Sequence, residues 1–151
     1  MYRRAFVISL FAALPLLAKP NLSGEWKMNA VKSDYGPLPA PQSFVRKISH
    51  EDPKLNLKTT QVGAQGEITT DVTWTTDGKE SVNTIAGAEV RGTAQWEGDD
   101  LVLNYKRNIQ GMEFKMKEVW AVSDAGKTIT INLTASSEAG EFVIKIVLEK
   151  Q

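Results

Sequence analysis

The sequence predicts an all-β fold, a ten-stranded antiparallel up-and-down β-barrel, over residues 19–151. Three observations support this prediction. Turn-forming residues recur at short intervals between segments rich in Val, Ile, Thr, Trp and Tyr, and these segments alternate apolar and polar residues with the period of a strand. No window after residue 18 has a helical period. Short connections favour antiparallel pairing of successive strands. The strands would share one continuous apolar face with no helix to cover it, so we expect the sheet to close into a barrel.

The first 18 residues have the pattern of a removable signal peptide. Two arginines precede the apolar run 5–17, and the run closes on the small residue Ala18. The run is shorter than the roughly 20 apolar residues that a membrane-spanning helix needs. The stretch 3-RRAFV-7 is also similar to a twin-arginine signal, but its flanking residues favour general secretion. We therefore expect a mature protein that starts near Lys19, has no integral membrane span and is periplasmic or secreted.

Length and composition indicate one ordinary globular domain. The chain has 151 residues, of which 42% are hydrophobic and 24% are charged. Without the two arginines of the signal, 16 basic residues remain against 18 acidic ones, a formal net charge of −2, and no basic patch indicates nucleic acid. The lack of cysteine excludes a lipid-anchored lipoprotein and a disulfide scaffold.

Ten strands are predicted in order along the chain, with turn signals such as Gly63-Ala64-Gln65-Gly66 between them. They cover roughly residues 23–29, 43–50, 55–62, 67–76, 80–85, 89–97, 101–108, 112–122, 128–136 and 141–149. The one long connection, residues 30–42, holds Pro37, Pro39 and Pro41. It is predicted to be a stiff surface loop and not a linker between domains.

A tight turn at Gln110-Gly111 sets the register of the two strands that flank it. It pairs Arg107 with Phe114, Tyr105 with Met116, Leu103 with Glu118 and Leu101 with Trp120. The stretch 101-LVLNYKR-107 thus has an apolar inner face that ends in a phenol and a guanidinium. This pattern indicates either a strand that leaves the core at Arg107 or a pocket that needs a polar group.

Arg46, Tyr105, Arg107 and Glu118 are the polar residues of greatest interest on the predicted inner face. Charged side chains are almost never fully buried without a partner. A charged residue on the inner face is therefore expected to form an ion pair, to face a hydrated cavity or to lie at the barrel mouth. Arg107 is close to a turn and fits the mouth at least as well as a pocket. Arg46 lies in mid-strand opposite Thr59 and is the better candidate for a ligand contact.

The inner phase also carries all four tryptophans, Trp26, Trp74, Trp96 and Trp120. Large aromatic side chains commonly fill a small barrel core, and this is the simpler interpretation of each of them. Small or polar inner positions argue against a wholly solid core. They are Thr59, Thr70, Thr84, Gly92 and Ala94, and they are expected to leave volume unfilled on the Arg46 side.

His50 is the only histidine and comes directly before a turn, in 50-HEDPK-54. A metal site needs several good ligands that converge, and beside this histidine the chain offers only carboxylates. We expect His50 to cap the turn, and we predict neither a metal site nor a cofactor. No spacing of Ser, His and acid indicates a nucleophilic triad.

Two short motifs carry a resemblance to a known superfamily. The segment 23-SGEW-26 is similar to the Gly-x-Trp signature of lipocalins, and 93-TAQWEGDDLVL-103 resembles the Trp-Asp-Gly-Asp-x-Leu hairpin of the fatty-acid-binding proteins. The chain therefore resembles an exported bacterial lipocalin-like (calycin) domain, nearest to the ten-stranded fatty-acid-binding-protein-like barrels. It departs from them in two ways: the Pro-rich loop replaces their helical lid, and Phe142, Ile144 and Ile146 occupy the strand of their Arg-x-Tyr clamp. The resemblance does not imply a long-chain fatty acid.

The leading functional hypothesis is an exported protein that binds a small hydrophobic or amphipathic molecule in the barrel lumen. One alternative is a non-carrier module with a solid core, whose rim around the Asp34 to Pro41 loop meets a protein partner. A third is a calycin-type isomerase or lyase that uses Tyr105 and Glu118 as acid and base. The predicted ligand-binding residues are Arg46, Thr59, Thr70, Trp74, Trp96, Tyr105, Arg107, Phe114, Met116, Glu118 and Trp120.

Overall fold

A computed structural model describes residues 19–151, so the predicted signal peptide lies outside the described residues. Ten strands follow one another in this region: β1 Gly24–Met28, β2 Ser43–Glu51, β3 Lys54–Gly63, β4 Gly66–Thr75, β5 Ser81–Ile85, β6 Ala88–Glu97, β7 Asp100–Ile109, β8 Met112–Ser123, β9 Thr128–Ser137 and β10 Gly140–Lys150. All ten predicted strands are confirmed. No helix in the described region is long and apolar enough to cross a membrane.

All ten strands form one antiparallel sheet that curls into a nearly closed barrel. The order is β4-β3-β2-β1-β10-β9-β8-β7-β6-β5, so the first and last strands of the chain pair with each other in the middle of the sheet. β4 and β5, at the two ends of this order, meet through side chains. The Asn83 amide accepts a hydrogen bond from the Thr73 N–H (2.8 Å) and donates one to the Thr73 carbonyl (3.0 Å), as a paired strand residue would.

The predicted registers are also confirmed. β7 and β8 pair Tyr105 with Met116 and Leu103 with Glu118, as the Gln110-Gly111 turn required. Across β2 and β3, Arg46 lies opposite Thr59. These pairings keep the apolar phase of each strand on the inner face from one strand to the next.

The connection between β1 and β2 has two parts. The first part runs along β10, where the Asn29 N–H donates to the Val147 carbonyl (2.8 Å) and Asp34 exchanges two backbone hydrogen bonds of 2.7 Å with Lys145. The second part, residues 35–42, places Tyr35 and Leu38 at one end of the barrel interior. We call this end the upper end. The prolines therefore lie in a segment that covers the barrel opening.

The lower half of the barrel is a solid hydrophobic core. Eight large side chains in it have no solvent exposure: Leu22, Trp26, Leu55, Leu101, Trp120, Ile129, Ile131 and Leu148. The Trp26 indole N–H is satisfied there by the Leu22 carbonyl at 2.8 Å. The sequence-based expectation of a filled core is therefore correct for this half.

Four positions assigned to the inner face differ from the prediction. Thr84 is exposed, because the partly buried residues of β5 are Ser81, Asn83 and Ile85. The period of two also predicts inner-face positions for Ile68 and Met112, but these residues lie close to turns at strand ends and are 58% and 43% exposed. Gly92 faces inward but leaves no empty volume, because a Cβ there would lie 2.5 Å from the Cβ of Tyr105 and 3.0 Å from Cζ3 of Trp74.

Candidate functional site

The upper half of the barrel contains a cavity of about 390 Å³, which we call the upper lumen. Apolar side chains from both sides of the barrel form most of its wall, among them Leu57, Val72, Met116 and Ile144. Such a volume lies within the range of ordinary small-molecule pockets, and predominantly apolar walls are typical of them. The barrel is therefore solid below and hollow above.

Arg46 and Glu118 form part of the floor of the upper lumen. Both line the cavity, whereas the next inward-facing residue below each one, Ile48 on β2 and Trp120 on β8, is buried and does not line it. The positions follow from the strand period, since residues two apart lie on the same face. A cation and an acid are thus placed directly above the solid core.

The Arg46 guanidinium is held by a neutral partner and two aromatic rings. Its Nε–H donates to the Thr59 hydroxyl at 2.8 Å, and its central carbon lies 5.0 Å from the Phe44 ring centroid and 5.3 Å from that of Trp120. Its Nη1 is buried without a hydrogen-bond partner. Burial lowers the pKa of Arg46, and the negative charge of Glu118 opposes this shift.

Glu118 is only 8% exposed, and within residues 19–151 its carboxyl group makes no hydrogen bond and no ion pair within 4.0 Å. Burial raises the pKa of Glu118 above that of an ordinary glutamate, against the effects of the Arg46 charge and the Trp120 indole N–H. That N–H is itself buried and makes no hydrogen bond of normal geometry in the described structure.

Two tyrosines complete the polar part of the lumen. The Tyr105 ring lies 5.5 Å from that of Trp74, and burial, reinforced by the charge of Glu118, raises the pKa of the Tyr105 hydroxyl. Burial likewise raises the pKa of Tyr35, in the covering loop, to about 12. Both hydroxyls are therefore protonated and uncharged at neutral pH, and each is able to donate or accept a hydrogen bond.

Eight of the eleven predicted ligand-binding residues line this cavity. They are Arg46, Thr59, Thr70, Trp74, Tyr105, Arg107, Met116 and Glu118. Phe114 packs edge-on against Phe142, with ring centroids 6.0 Å apart. Trp120 lies beneath Arg46 in the solid core, and Trp96 lies near His50 at the lower end. A ligand contact by any of the eight remains a prediction.

Sequence reasoning omitted several lining residues. Leu133, Ile144 and Ile146 were in the correct phase, and the alternation of their strands could have identified them as wall residues. Tyr35 and Leu38 belong to an irregular loop, where no period shows which side chains point inward.

His50 belongs to a hydrogen-bond network at the lower end, far along its strand from the cavity. Its buried ring accepts a hydrogen bond from the Leu22 N–H at Nδ1 (3.1 Å), so Nε2 carries the proton and donates to Asp52 (2.5 Å). Asp52 also accepts from the Thr76 hydroxyl at 2.9 Å. His50 thus caps the turn, as expected. Among residues 19–151, no group of three or more His, Asp or Glu side chains could hold a metal ion.

A larger hollow, of about 940 Å³, lies outside the barrel between the β7–β8 and β9–β10 hairpins. Exposed residues such as Met112, Glu113 and Glu138 form it, and it is broadly open to solvent. Among the described residues that line it, none has a buried side-chain polar atom without a hydrogen-bond partner. The upper lumen is therefore the better candidate for a binding site, despite its smaller volume.

No protein-family model and no curated protein sequence matches this chain. Solved structures, however, share its fold. A secretory abundant heat soluble protein from Ramazzottius varieornatus has 12% sequence identity and a TM-score of 0.65, with 85% of this chain and 94% of that chain covered. The brain fatty acid-binding protein of Drosophila melanogaster has 14% identity and a TM-score of 0.59, with 85% and 99% covered.

A zebrafish ileal bile acid-binding protein in complex with cholic acid is similar to the same extent. It has 19% identity and a TM-score of 0.56, and the match covers 86% of this chain and 98% of that chain. At these identities the likeness establishes the fold alone. The predicted architecture, a ten-stranded calycin-type barrel like that of the fatty-acid-binding proteins, is confirmed.

Proposed function

We propose that this protein binds a small hydrophobic or amphipathic molecule in the upper lumen. The observation that carries the proposal is the combination of a mostly apolar cavity of about 390 Å³ with Arg46 and Glu118 on its floor, where the Arg46 Nη1 is buried without a partner. Apolar walls with a few convergent polar groups are the usual design of a small-molecule site, since the walls provide affinity and the polar groups fix orientation.

Two of the structural neighbours support this proposal by what they bind. One is named as a fatty acid-binding protein, and the other is a bile acid-binding protein that holds cholic acid. Both ligand types combine a large apolar body with a polar end. The upper lumen is built for that combination, with aliphatic residues such as Leu133 and Ile146 beside Arg46 and Glu118.

The solid lower half limits the size of the ligand. Trp26 and Trp120 have no solvent exposure and fill the space below Arg46, so the ligand occupies only the half of the barrel beneath the Tyr35 loop. The alternative hypothesis of a solid barrel core therefore holds for the lower half of the barrel only. The solid half supports the fold, while the hollow half binds.

We further propose that binding takes place after export, in the periplasm or outside the cell. The support is the signal-peptide pattern of residues 1–18 in the sequence.

The binding function is tested by native mass spectrometry of the purified protein, followed by denaturation to release any bound small molecule. We expect a small-molecule adduct, or saturable uptake from a panel of amphipathic compounds, that is lost in Ile144→Trp. The matched control is Val143→Trp, since Val143 is the adjacent residue, faces outward and is 53% exposed, whereas Ile144 lines the lumen. If the folded wild-type protein takes up no compound, or if Ile144→Trp binds as well as Val143→Trp while folded, the proposal is wrong.

A further inference from the structure

The floor of the upper lumen contains a donor and an acceptor that do not satisfy each other. Arg46 uses only its Nε–H, on Thr59, and its Nη1 is buried without a partner. Glu118 makes no hydrogen bond and no ion pair within the described residues. An unpaired buried donor is costly, so the Arg46 Nη1 favours a ligand that accepts a hydrogen bond, and the Glu118 carboxyl group, which lines the cavity, is available to accept one.

The two groups are close enough to serve one polar head group. The Arg46 guanidinium lies 5.3 Å from the ring centroid of Trp120, and Trp120 is two residues from Glu118 on the same face of β8. The charges of Arg46 and Glu118 also shift each other's pKa. A head group on this floor therefore meets a guanidinium and a carboxyl together.

On the floor itself, the positive charge of Arg46 is balanced by Glu118 when that carboxyl group is ionised. Among residues 19–151, the other ionisable groups that line the lumen are the uncharged phenols of Tyr35 and Tyr105 and a second cation, Arg107, which is partly exposed and lies nearer the mouth. The lining residues of β3, β9 and β10 carry no charge. A ligand carboxylate would bring a second negative charge next to Glu118 in a poorly solvated site, which is unfavourable.

We propose that the floor formed by Arg46 and Glu118 selects an uncharged head group that accepts a hydrogen bond through one atom and donates one through another, of which a primary amide is the simplest example. This inference rests on the proposed binding function. The carbonyl oxygen of the amide accepts from the Arg46 guanidinium, and its N–H donates to the Glu118 carboxylate. A carboxylic acid satisfies the same two groups only when one proton lies between its carboxyl group and that of Glu118, so an ionised acid that meets an ionised Glu118 must take up a proton when it binds.

Decanamide and decanoate, which have the same chain length, are the probes that test this selection. Their dissociation constants are measured on the full protein by calorimetry from mildly acidic to mildly alkaline pH, in buffers of different ionisation enthalpy so that proton uptake is counted. At alkaline pH we expect decanamide to bind at least about tenfold more tightly, the scale of one unpaired buried polar group. At alkaline pH, where Glu118 is ionised, decanoate should bind with uptake of about one proton and weaken as pH rises, while decanamide binding stays constant.

Glu118→Gln should remove the discrimination, because it deletes the negative charge on the floor. Decanoate affinity should then increase at alkaline pH, and its proton uptake should disappear. The control is Glu25→Gln, an exposed glutamate on the outer face of β1, which should behave as wild type. Tighter binding of decanoate than of decanamide at alkaline pH without proton uptake would overturn the head-group proposal and leave the binding function intact. If neither probe nor any other amphipathic compound binds, the binding function itself fails.

Discussion

Arg46 donates its Nε–H to the hydroxyl of Thr59 at 2.8 Å, and the two residues are directly opposed on β2 and β3. Within the described structure, the guanidinium has no carboxylate within 4.0 Å, although Glu118 lines the same lumen. Arg46 is therefore held by a neutral hydrogen bond and by aromatic rings. This arrangement leaves its positive charge available to a ligand.

Arg46→Met should change the free energy of unfolding by only about 1 kcal/mol or less, because it removes a poorly solvated charge and one hydrogen bond without breaking a direct ion pair. Ligand binding should weaken markedly. Urea denaturation and binding measurements on Arg46→Met, Glu118→Gln and the double mutant test this prediction. If instead each single mutant lost about 3 to 5 kcal/mol of unfolding free energy, and the double mutant lost much less than the sum of the two, Arg46 and Glu118 would form a structural ion pair.

Glu118 should make the protein less stable as pH rises. Its pKa is higher in the folded protein than in the unfolded chain, so the folded state binds more protons between these two pKa values. The stability contribution is complete below the ordinary glutamate pKa and is lost as pH rises through the raised one. Unfolding free energies of wild type, Glu118→Gln and the surface control Glu25→Gln across this range isolate the effect. A wild-type curve parallel to that of Glu118→Gln would contradict it.

Gly92→Ala should destabilise the protein by about 1 to 3 kcal/mol, the usual cost of overpacking. The new methyl group would overlap the Asn104 carbonyl oxygen and lie 2.5 Å from the Cβ of Tyr105. Gly63→Ala is the matched control, since nothing lies within 4 Å of a Cβ at that position on β3. Thermal unfolding of the two variants measures the difference. Equal melting temperatures would show that the β6–β7 contact can relax freely.

Ligand binding should change tryptophan emission mainly through Trp74. This is the only one of the four tryptophans that lines the upper lumen in the described structure. Trp74→Phe should therefore abolish most of the ligand-dependent change, whereas Trp96→Phe at the lower end should preserve it. Fluorescence titration of both variants with one amphipathic probe makes the comparison. A signal that persists in Trp74→Phe and vanishes in Trp96→Phe would place the ligand elsewhere.

The exported protein should begin near Lys19, since residues 1–18 have the pattern of a signal peptide. Lys19 is exposed, and its ammonium group contacts the Gly98 carbonyl and lies 5.7 Å from the Trp96 ring centroid. N-terminal sequencing of material recovered outside the cytoplasm measures the start directly. Exported protein that still begins at Met1 would refute the cleavage prediction.

The number of strands, their order and their registers could all be predicted from the amino-acid sequence. These features depend on local physics, because a period of two assigns each strand its inner face and a tight turn such as Gln110-Gly111 sets the pairing of its neighbours. The pairing of Arg46 with Thr59 followed from the same rule. Errors in the assignment of the inner face were confined to the ends of strands and to β5, where Thr84 was assigned to the wrong face.

The location of the hollow part of the barrel could not be predicted from the sequence and is known only from the folded chain. Filled volume depends on side chains from strands distant in sequence: the space at Gly92 is occupied by Trp74 from β4 and Tyr105 from β7, and no local pattern contains that information. The insertion of Tyr35 from an irregular loop was equally invisible. The strand period placed Arg46 and Glu118 on the inner face. The structure shows that both residues line one cavity and that they form no direct ion pair. Ion pairing depends on distances of a few ångströms, which a strand period does not specify.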